Sequence, residues 1–399
     1  PGYHSRPMPH LLRQFSLLGR KRRSRQECKR ILEDFAAWRE LQRELPPPSP
    51  APGRLLIIRL DDIGDYLLFR NQLAMYKQSA RWKDHRITLL GNASWQDLFT
   101  LLDQDSVDDT LWVNKNQYLS DATYRLAIWQ RLRAGAFDTV IAPARTRPLQ
   151  LDDLCMLAAA PARRFGSVNT YIHSEWNRVS DALYEALFEP LDTHIHEFEF
   201  NGLLTSWICG IRYQGSRPAI DSKHYSPKAG DYILCFVGAN TRSKRWPARR
   251  WIEFINLYRH RNTGRVILAG AGSAETDAAT RIARSTDAHS IAGQVSLVEM
   301  LDWVAGAQAV ITNDTMAAHM SVSCNRPTLI IANGVNYARF TDYAAAGIDR
   351  VITVYPEVFT AKRRRGGARF AYHYPDAVSR DIASISAREV LDKLALVQR

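Results

Sequence analysis

Two successive blocks of alternating strands and helices predict an α/β protein of two doubly wound domains facing across a cleft. Three observations carry this. Short apolar runs alternate with helical patterns from Arg54 onward. The alternation restarts after residues 212–230, a stretch rich in Ser, Pro, Gly and Lys. A chain of 399 residues is also too long for one ordinary domain.

The elements follow in chain order. Residues 1–53 read as an appendage: a basic run "LLGRKRRSR" (17–25), a helical pattern over 26–45, and a Pro-rich linker, "PPPSPAPG" (46–53). Ile31, Leu32, Phe35, Ala36, Trp38 and Leu41 recur at near-helical spacing. A basic amphipathic helix fits an anionic membrane surface, and the alternative, slightly favoured, is a helix packed on its own protein or a partner. The first doubly wound domain, 54–211, has predicted strands at 54–59, 86–90, 110–113, 138–142 and 162–166. Its predicted helices are 66–79, 93–102 and 120–134, and 175–211 reads as mostly helical. The second, 212–375, has strands at 231–238, 265–272, 308–312 and 327–332. Between them come helices at 247–260, 273–285, 296–306 and 315–324. A last helix, about 386–397, lies in the tail 376–399 and has Val390, Leu391, Leu394 and Val397 on one face.

Composition narrows the class. With 46% hydrophobic and 24% charged residues the chain has material for two cores. No run approaches the roughly 18 apolar residues of a membrane span, and no signal-peptide pattern follows Pro1. Cys28, Cys155, Cys209, Cys235 and Cys324 form no CxxC and read as scattered, reduced thiols of a cytosolic protein. The net charge of +12 suggests an anionic partner: nucleic acid, phosphorylated glycan or anionic lipid. Residues 1–50 hold 11 Lys/Arg against 5 Asp/Glu, half of that excess. Elsewhere the basic residues are scattered and no nucleic-acid recognition motif is present, so nucleic acid is not the expected partner.

Ligands in doubly wound sheets sit beyond the carboxyl ends of the strands. Four loops there carry candidate chemistry. "RLDDIGDYLL" (59–68) crowds Asp61, Asp62 and Asp65 around Gly64. Asp65 stands where an N-cap would open a helix, or at the cleft rim as a general base. "GANTRSKRWP" (238–247) brings Asn240, Thr241, Lys244 and two arginines to a helix start, as phosphate binding requires. "AGAGSAE" (269–275) has GxG without the full GxGxxG, and Glu275 is placed either for a ribose or as a first-turn glutamate. "TNDTMAAH" (312–319) offers Asp314 as a helix cap, Thr315, and His319. Asp314 must stay in the loop if it and His319 are to reach one ligand. No HExxH, GxSxG or Walker A pattern occurs. "HIHEF" (194–198) has a metal-like look at incidental spacing, and "AKRRRGGAR" (361–369) reads as a solvated basic loop.

In order and spacing, "LLIIRLDDIGDYLL", "GANTRSKRWP", "LAGAGSAE", "SIAGQVSLVEML" and "NDTMAAHMSVSCNRPTLII" resemble glycosyltransferase family 9, the bacterial heptosyltransferase-like family. The resemblance spans roughly 54–345. It implies a GT-B fold, with two Rossmann-like domains: acceptor on the N-terminal one, nucleotide-sugar donor in the C-terminal one. It implies an inverting transfer, typically of heptose from ADP-heptose, onto lipopolysaccharide core or a related glycan. No metal and no cofactor are expected, the ADP-linked sugar being a substrate. On this analogy Asp65 matches the catalytic base and Lys244 the diphosphate-binding lysine. Asn240, Thr241, Glu275, Asp314, Thr315 and His319 match the donor-binding set. A cytoplasmic protein, peripheral on the inner membrane where lipid-linked acceptors are, is the corresponding location. The chain departs from the pattern at Met316, where the family commonly has glycine, at "ANGVNYARFTDY", and in its basic extension. An epimerase or hydrolase, and a non-catalytic nucleotide-sugar-binding or scaffold protein, share this architecture. A donor-only product assay separates the former, and Met316 is the feature that suggests the latter.

Overall fold

The structure is a computed structural model, and it describes residues 29, 33–40, 42–43, 45–170, 174–366 and 381–398. The basic run 17–25, Cys28 and residues 367–369 lie outside them. Two six-stranded sheets are present, both wholly parallel. The first comprises β1 (Ala51–Arg59), β2 (Arg86–Asn92), β3 (Asp109–Val113), β4 (Phe137–Ala142), β5 (Arg163–Ser167) and β6 (Ala186–Phe188), in the order β3-β2-β1-β4-β5-β6. The second comprises β7 (Tyr232–Phe236), β8 (Arg265–Ala269), β9 (His289–Ser290), β10 (Ala309–Asn313), β11 (Thr328–Ile331) and β12 (Val351–Val354), in the order β12-β11-β10-β7-β8-β9. Both orders are the 3-2-1-4-5-6 arrangement of a Rossmann-like domain.

The central strands explain why their sequences are unbroken apolar runs. Leu55, Leu56, Ile57 and Ile58 are all fully buried, because helices cover both faces of a parallel sheet. Register follows: Leu55 and Ile57 pair with Ile87 and Leu89 on one side and with Thr139 and Ile141 on the other. In the second sheet β7 takes the same central place between β8 and β10.

Several expectations change. β1 begins at Ala51, inside the stretch read as linker, and Gly53 donates to Asp138. The predicted helix 66–79 is instead Ile63–Phe69, a 3-10 turn at Arg70–Gln72 and Ala74–Gln78. The break sits where Arg70 turns inward to grip Asp103 through two bonds of 2.9 Å. The helix predicted at 120–134 divides at Asp121, whose side chain caps Ala122–Ala134. The region 175–211 holds β6 between two helices. The edge strands β6, β9 and β12 add to the expected set; at two to four residues, even the apolar stretches Ala186–Phe188 and Val351–Val354 are too short to mark a strand by pattern alone. The basic segment read as a loop at 361–369 is, over 361–366, the end of the helix Glu357–Gly366.

In the N-terminal appendage, residues 33–40 are helical, and Phe35 and Trp38 are buried in the first domain's core with Tyr118, Ile128 and Trp129. Phe35 and Trp38 are therefore spent inside the protein, while Ala36 is exposed. The last helix, Ala387–Val397, packs Val390, Leu391, Leu394 and Val397 into the second core, and Trp246 donates its indole hydrogen to the Ile385 carbonyl beside it. Cys155, Cys209, Cys235 and Cys324 are free and buried. Burial pushes the thiols of Cys155, Cys209 and Cys324 up to about 12, which leaves them unreactive. No described helix is long and apolar enough to cross a membrane.

Candidate active site

One cleft of about 710 Å³ opens between the carboxyl ends of β1 and of the second sheet's strands. Asp65, Asn240, Thr241, Lys244, Glu275, Asp314, Thr315 and His319 all line it, as does Met316. Residues scattered over 250 positions thus share one space, for the reason the fold gives: each follows a parallel strand.

The three aspartates after β1 have three different surroundings. Asp61 pairs with fully buried Arg59 at 2.8 Å, and its main-chain carbonyl accepts from Asn92 and Trp95. Burial holds the Asp61 carboxyl well above its usual range, against the pull of Arg59. Asp62, which is exposed, pairs with Lys115 at 2.8 Å. It is also the N-cap of the helix Ile63–Phe69, though its side chain makes no capping bond. Asp65 is therefore not the cap. It lies in the first helical turn, with its carboxylate facing the cleft and one oxygen 3.8 Å from Arg339. Burial raises its carboxyl first, Arg339 opposes this, and the charge of Glu197 adds to the rise. A carboxylate raised in this way is a better proton acceptor than one locked by helix amides.

Gly64 has a tertiary reason. A Cβ there would lie 2.8 Å from His319 Cδ2, so only glycine lets this helix meet Met316–Ser323 of the second domain. His319 is buried and bonds Tyr343 Oη through Nδ1 at 2.5 Å. Burial lowers it to about 4, so the ring is neutral near pH 7.

Across the cleft, Lys244 ends a 3-10 turn and pairs with Asp314 at 2.7 Å. Asn336 donates to the same Asp314 oxygen at 3.1 Å. Asp314 is thus a partner of Lys244 and not a helix cap. Thr315 is the N-cap, its hydroxyl accepting from Ala317 at 3.3 Å. Asp314 stays in the loop, and both it and His319 line the cleft. Glu275 folds back so that Oε2 accepts from the Ala271 amide at 2.8 Å. Gly238 permits this, because a Cβ there would fall 2.2 Å from Glu275 Cδ.

Residue-by-residue reading overlooked Asn313, Asn333, Glu197 and Arg339. Buried Asn313 donates to the Gly238 carbonyl at 2.9 Å and accepts from the Trp246 amide at 3.0 Å. Asn333 donates to the Ser243 carbonyl at 3.0 Å, so two asparagines from neighbouring strand ends hold the 238–247 loop. Their signal was available: polar residues closing the apolar strands β10 and β11. Glu197 and Arg339, 142 positions apart, carried no such signal. Arg339, after β11 of the second sheet, meets Glu197 at 2.8 Å at the start of the helix Glu197–Cys209. Burial works to raise Glu197, but the fields of Arg339, Arg145 and Arg59 overcome it and hold the carboxyl down at about 2. The metal-like "HIHEF" resolves differently. His196 caps the helix Glu197–Cys209 and His194 pairs with Asp192 at 3.3 Å. Among the described residues no group of three His, Cys, Asp or Glu is placed to hold a metal ion.

Residues 193–335 match the model for glycosyltransferase family 9 (heptosyltransferase). Over 110 residues the chain is 32% identical to lipopolysaccharide heptosyltransferase 1 of Salmonella typhimurium, a match covering 27% of this chain and 34% of that protein. The chain thus spans about a third of the length of this curated relative. E. coli heptosyltransferase WaaC with ADP superposes over 86% of this chain and 99% of its own, with TM-score 0.66 and 16% identity. The same enzyme with ADP-2-deoxy-2-fluoro heptose gives TM-score 0.64 at 15% identity, over the same shares. At these identities the likeness is one of fold, and that fold is GT-B.

Proposed function

We propose that this chain, whose residues 193–335 belong to glycosyltransferase family 9, is an inverting glycosyltransferase. It moves a heptose from an ADP-linked donor to a lipopolysaccharide core or related glycan acceptor. The observation that carries this reading is the single cleft in which Asp65 of the first domain faces Lys244, Glu275 and Thr315 of the second. A solved relative holding ADP supports the choice of nucleotide.

In this mechanism Asp65 takes the acceptor hydroxyl's proton as its oxygen attacks the anomeric carbon from the face opposite the leaving group. The bond to the diphosphate breaks with inversion, and negative charge grows on the departing oxygens. Lys244, aimed by Asp314, and the partial positive charge at the N-terminus of Met316–Ser323 stabilise that charge. Glu275 holds the ribose. Closure of the cleft excludes water as a competing nucleophile. With Lys244 and amides as the charge partners no metal is required, and EDTA is expected to leave the rate unchanged.

The test is product analysis with ADP-heptose and a heptose-deficient core oligosaccharide. Release of ADP with a mass gain of one heptose on the glycan supports the reading. Release of ADP with no gain on the glycan would mean hydrolysis, and a changed sugar on intact donor would mean epimerisation. Neither product, with ADP still bound, would leave a non-catalytic nucleotide-sugar-binding protein.

Gly238→Ala offers a gentler check on the donor subsite. The added Cβ must displace the Glu275 carboxylate, so ADP affinity is expected to fall severalfold while the unliganded Tm stays near wild type. Unaltered affinity would remove Glu275 from the ribose.

We further propose contact with the cytoplasmic face of the inner membrane, through the basic run 17–25. Deleting residues 1–50 is a poor test, because Phe35 and Trp38 fill the first core. Neutralising Arg20, Lys21, Arg22, Arg23 and Arg25 is expected to release the protein from anionic vesicles. Unchanged sedimentation with the vesicles would exclude this contact.

A further inference from the structure

Arg339 belongs to the turn Tyr337–Thr341 after β11, in the second domain, yet its guanidinium is engaged in the first. Nε donates to Glu197 Oε2 at 2.8 Å, and Nη2 donates to Glu197 Oε1 and to Thr146 Oγ1, each at 3.3 Å. The same Nη2 is 3.8 Å from Asp65 Oδ1. Glu197 is wholly buried, and its other close cation, Arg145, is 3.6 Å away. Phe340, next in the chain, lies 4.5 Å beneath the guanidinium.

We propose that Arg339 is a positioning residue for Asp65: Glu197 takes the edge of the guanidinium, and Nη2 keeps the Asp65 carboxylate charged without pairing it fully. The inference rests on Asp65 being the base.

The physical problem is one of balance. Closing a cleft over a carboxylate favours its protonated form, and a protonated carboxyl cannot take the acceptor's proton. A full two-bond pair with arginine errs the other way, because it makes the carboxylate a poor base. The three-group arrangement falls between these. The groups facing Asp65 are Arg339 and Arg59, which lower it, and Glu197 and Asp62, which raise it; Asp61, itself raised in part by the charge of Asp65, lies near it as well. His319, beyond Gly64, is neutral and adds no charge. Arg339 comes from the opposite domain, so the packing of the two domains that buries the base also supplies its counter-charge.

The experiment is a 13C titration of the full-length protein labelled at aspartate Cγ, with saturating ADP. The Asp65 signal is assigned by its loss in Asp65→Asn. Arg339→Gln keeps hydrogen bonds but loses the charge, and is expected to raise the Asp65 midpoint by about one pH unit, the scale of an opposite charge within about 4–6 Å. Glu197→Gln removes a like charge and frees Arg339, and is expected to lower it. Arg339→Lys is expected to stay near wild type, which shows that the folded site survives substitution. Opposite movements are the signature, since a purely structural role would move neither midpoint. An unmoved midpoint in Arg339→Gln, or movement of both variants in one direction, would overturn the inference. ADP release from ADP-heptose, measured on the same wild-type sample with core oligosaccharide, tests the transferase reading separately. Opposite movements without ADP release would retain the charge arrangement and reject the transferase.

Discussion

Asp65→Asn is expected to lower turnover by about 10²–10⁴-fold, the usual contribution of a positioned general base. The amide keeps the shape of the side chain and cannot accept the acceptor's proton. Asp65 lies in the first turn of its helix and makes no capping bond, so the helix should form as before. Its nearest cation, at 3.8 Å, is already held by Glu197, so the loss of charge leaves no abandoned ion. ADP-induced stabilisation in a thermal-shift assay should match wild type, because the donor contacts lie on the other domain. A near-normal rate for Asp65→Asn would assign the proton to another acceptor. A lost ADP shift would mean that the substitution had disturbed the cleft as a whole.

Lys244→Ala is expected to weaken ADP binding by about 10- to 100-fold, in line with about 1.5–3 kcal/mol for a charge-assisted hydrogen bond. At a fixed ADP concentration that is saturating for wild type, most of the thermal shift should disappear. UDP, GDP and CMP in the same panel test whether the wild-type shift is particular to ADP. Part of any effect arises in the free protein. Asp314, nearly buried, loses its 2.7 Å partner, and an unpaired buried carboxylate destabilises the fold. Lys244→Ala combined with Asp314→Asn separates the two contributions. The double variant should recover unliganded stability and still bind ADP weakly. Recovery of ADP affinity in the double variant would show that Lys244 serves only to neutralise Asp314.

The architecture was legible because central parallel strands are covered on both faces and must be apolar throughout. "LLIIR" and "YILCF" announce β1 and β7 without ambiguity. The edge strands β6, β9 and β12 span only two to four residues, too few for an apolar pattern to distinguish a strand. Helix breaks were equally hidden, since the turn at Arg70 answers Asp103, 33 positions later.

At the site, residue order was enough to nominate the loops that follow strands, and with them Asp65, Lys244, Glu275, Asp314, Thr315 and His319. Their local chemistry was not enough to assign each role. By sequence Asp65 fits either a cap or a base, and the fold places Asp62 at the cap; Asp314 fits a cap, and the fold sets Lys244 against it. Arg339 and Glu197 had no local mark at all. An arginine in a loop and a glutamate opening a helix are ordinary in sequence. They become a pair only in the folded molecule, because a salt bridge is a property of distance in space and the chain records only separation along itself. Strand periodicity is local and therefore written in the residues. The charge balance around Asp65 is made by contacts between domains, and only the folded molecule decides it.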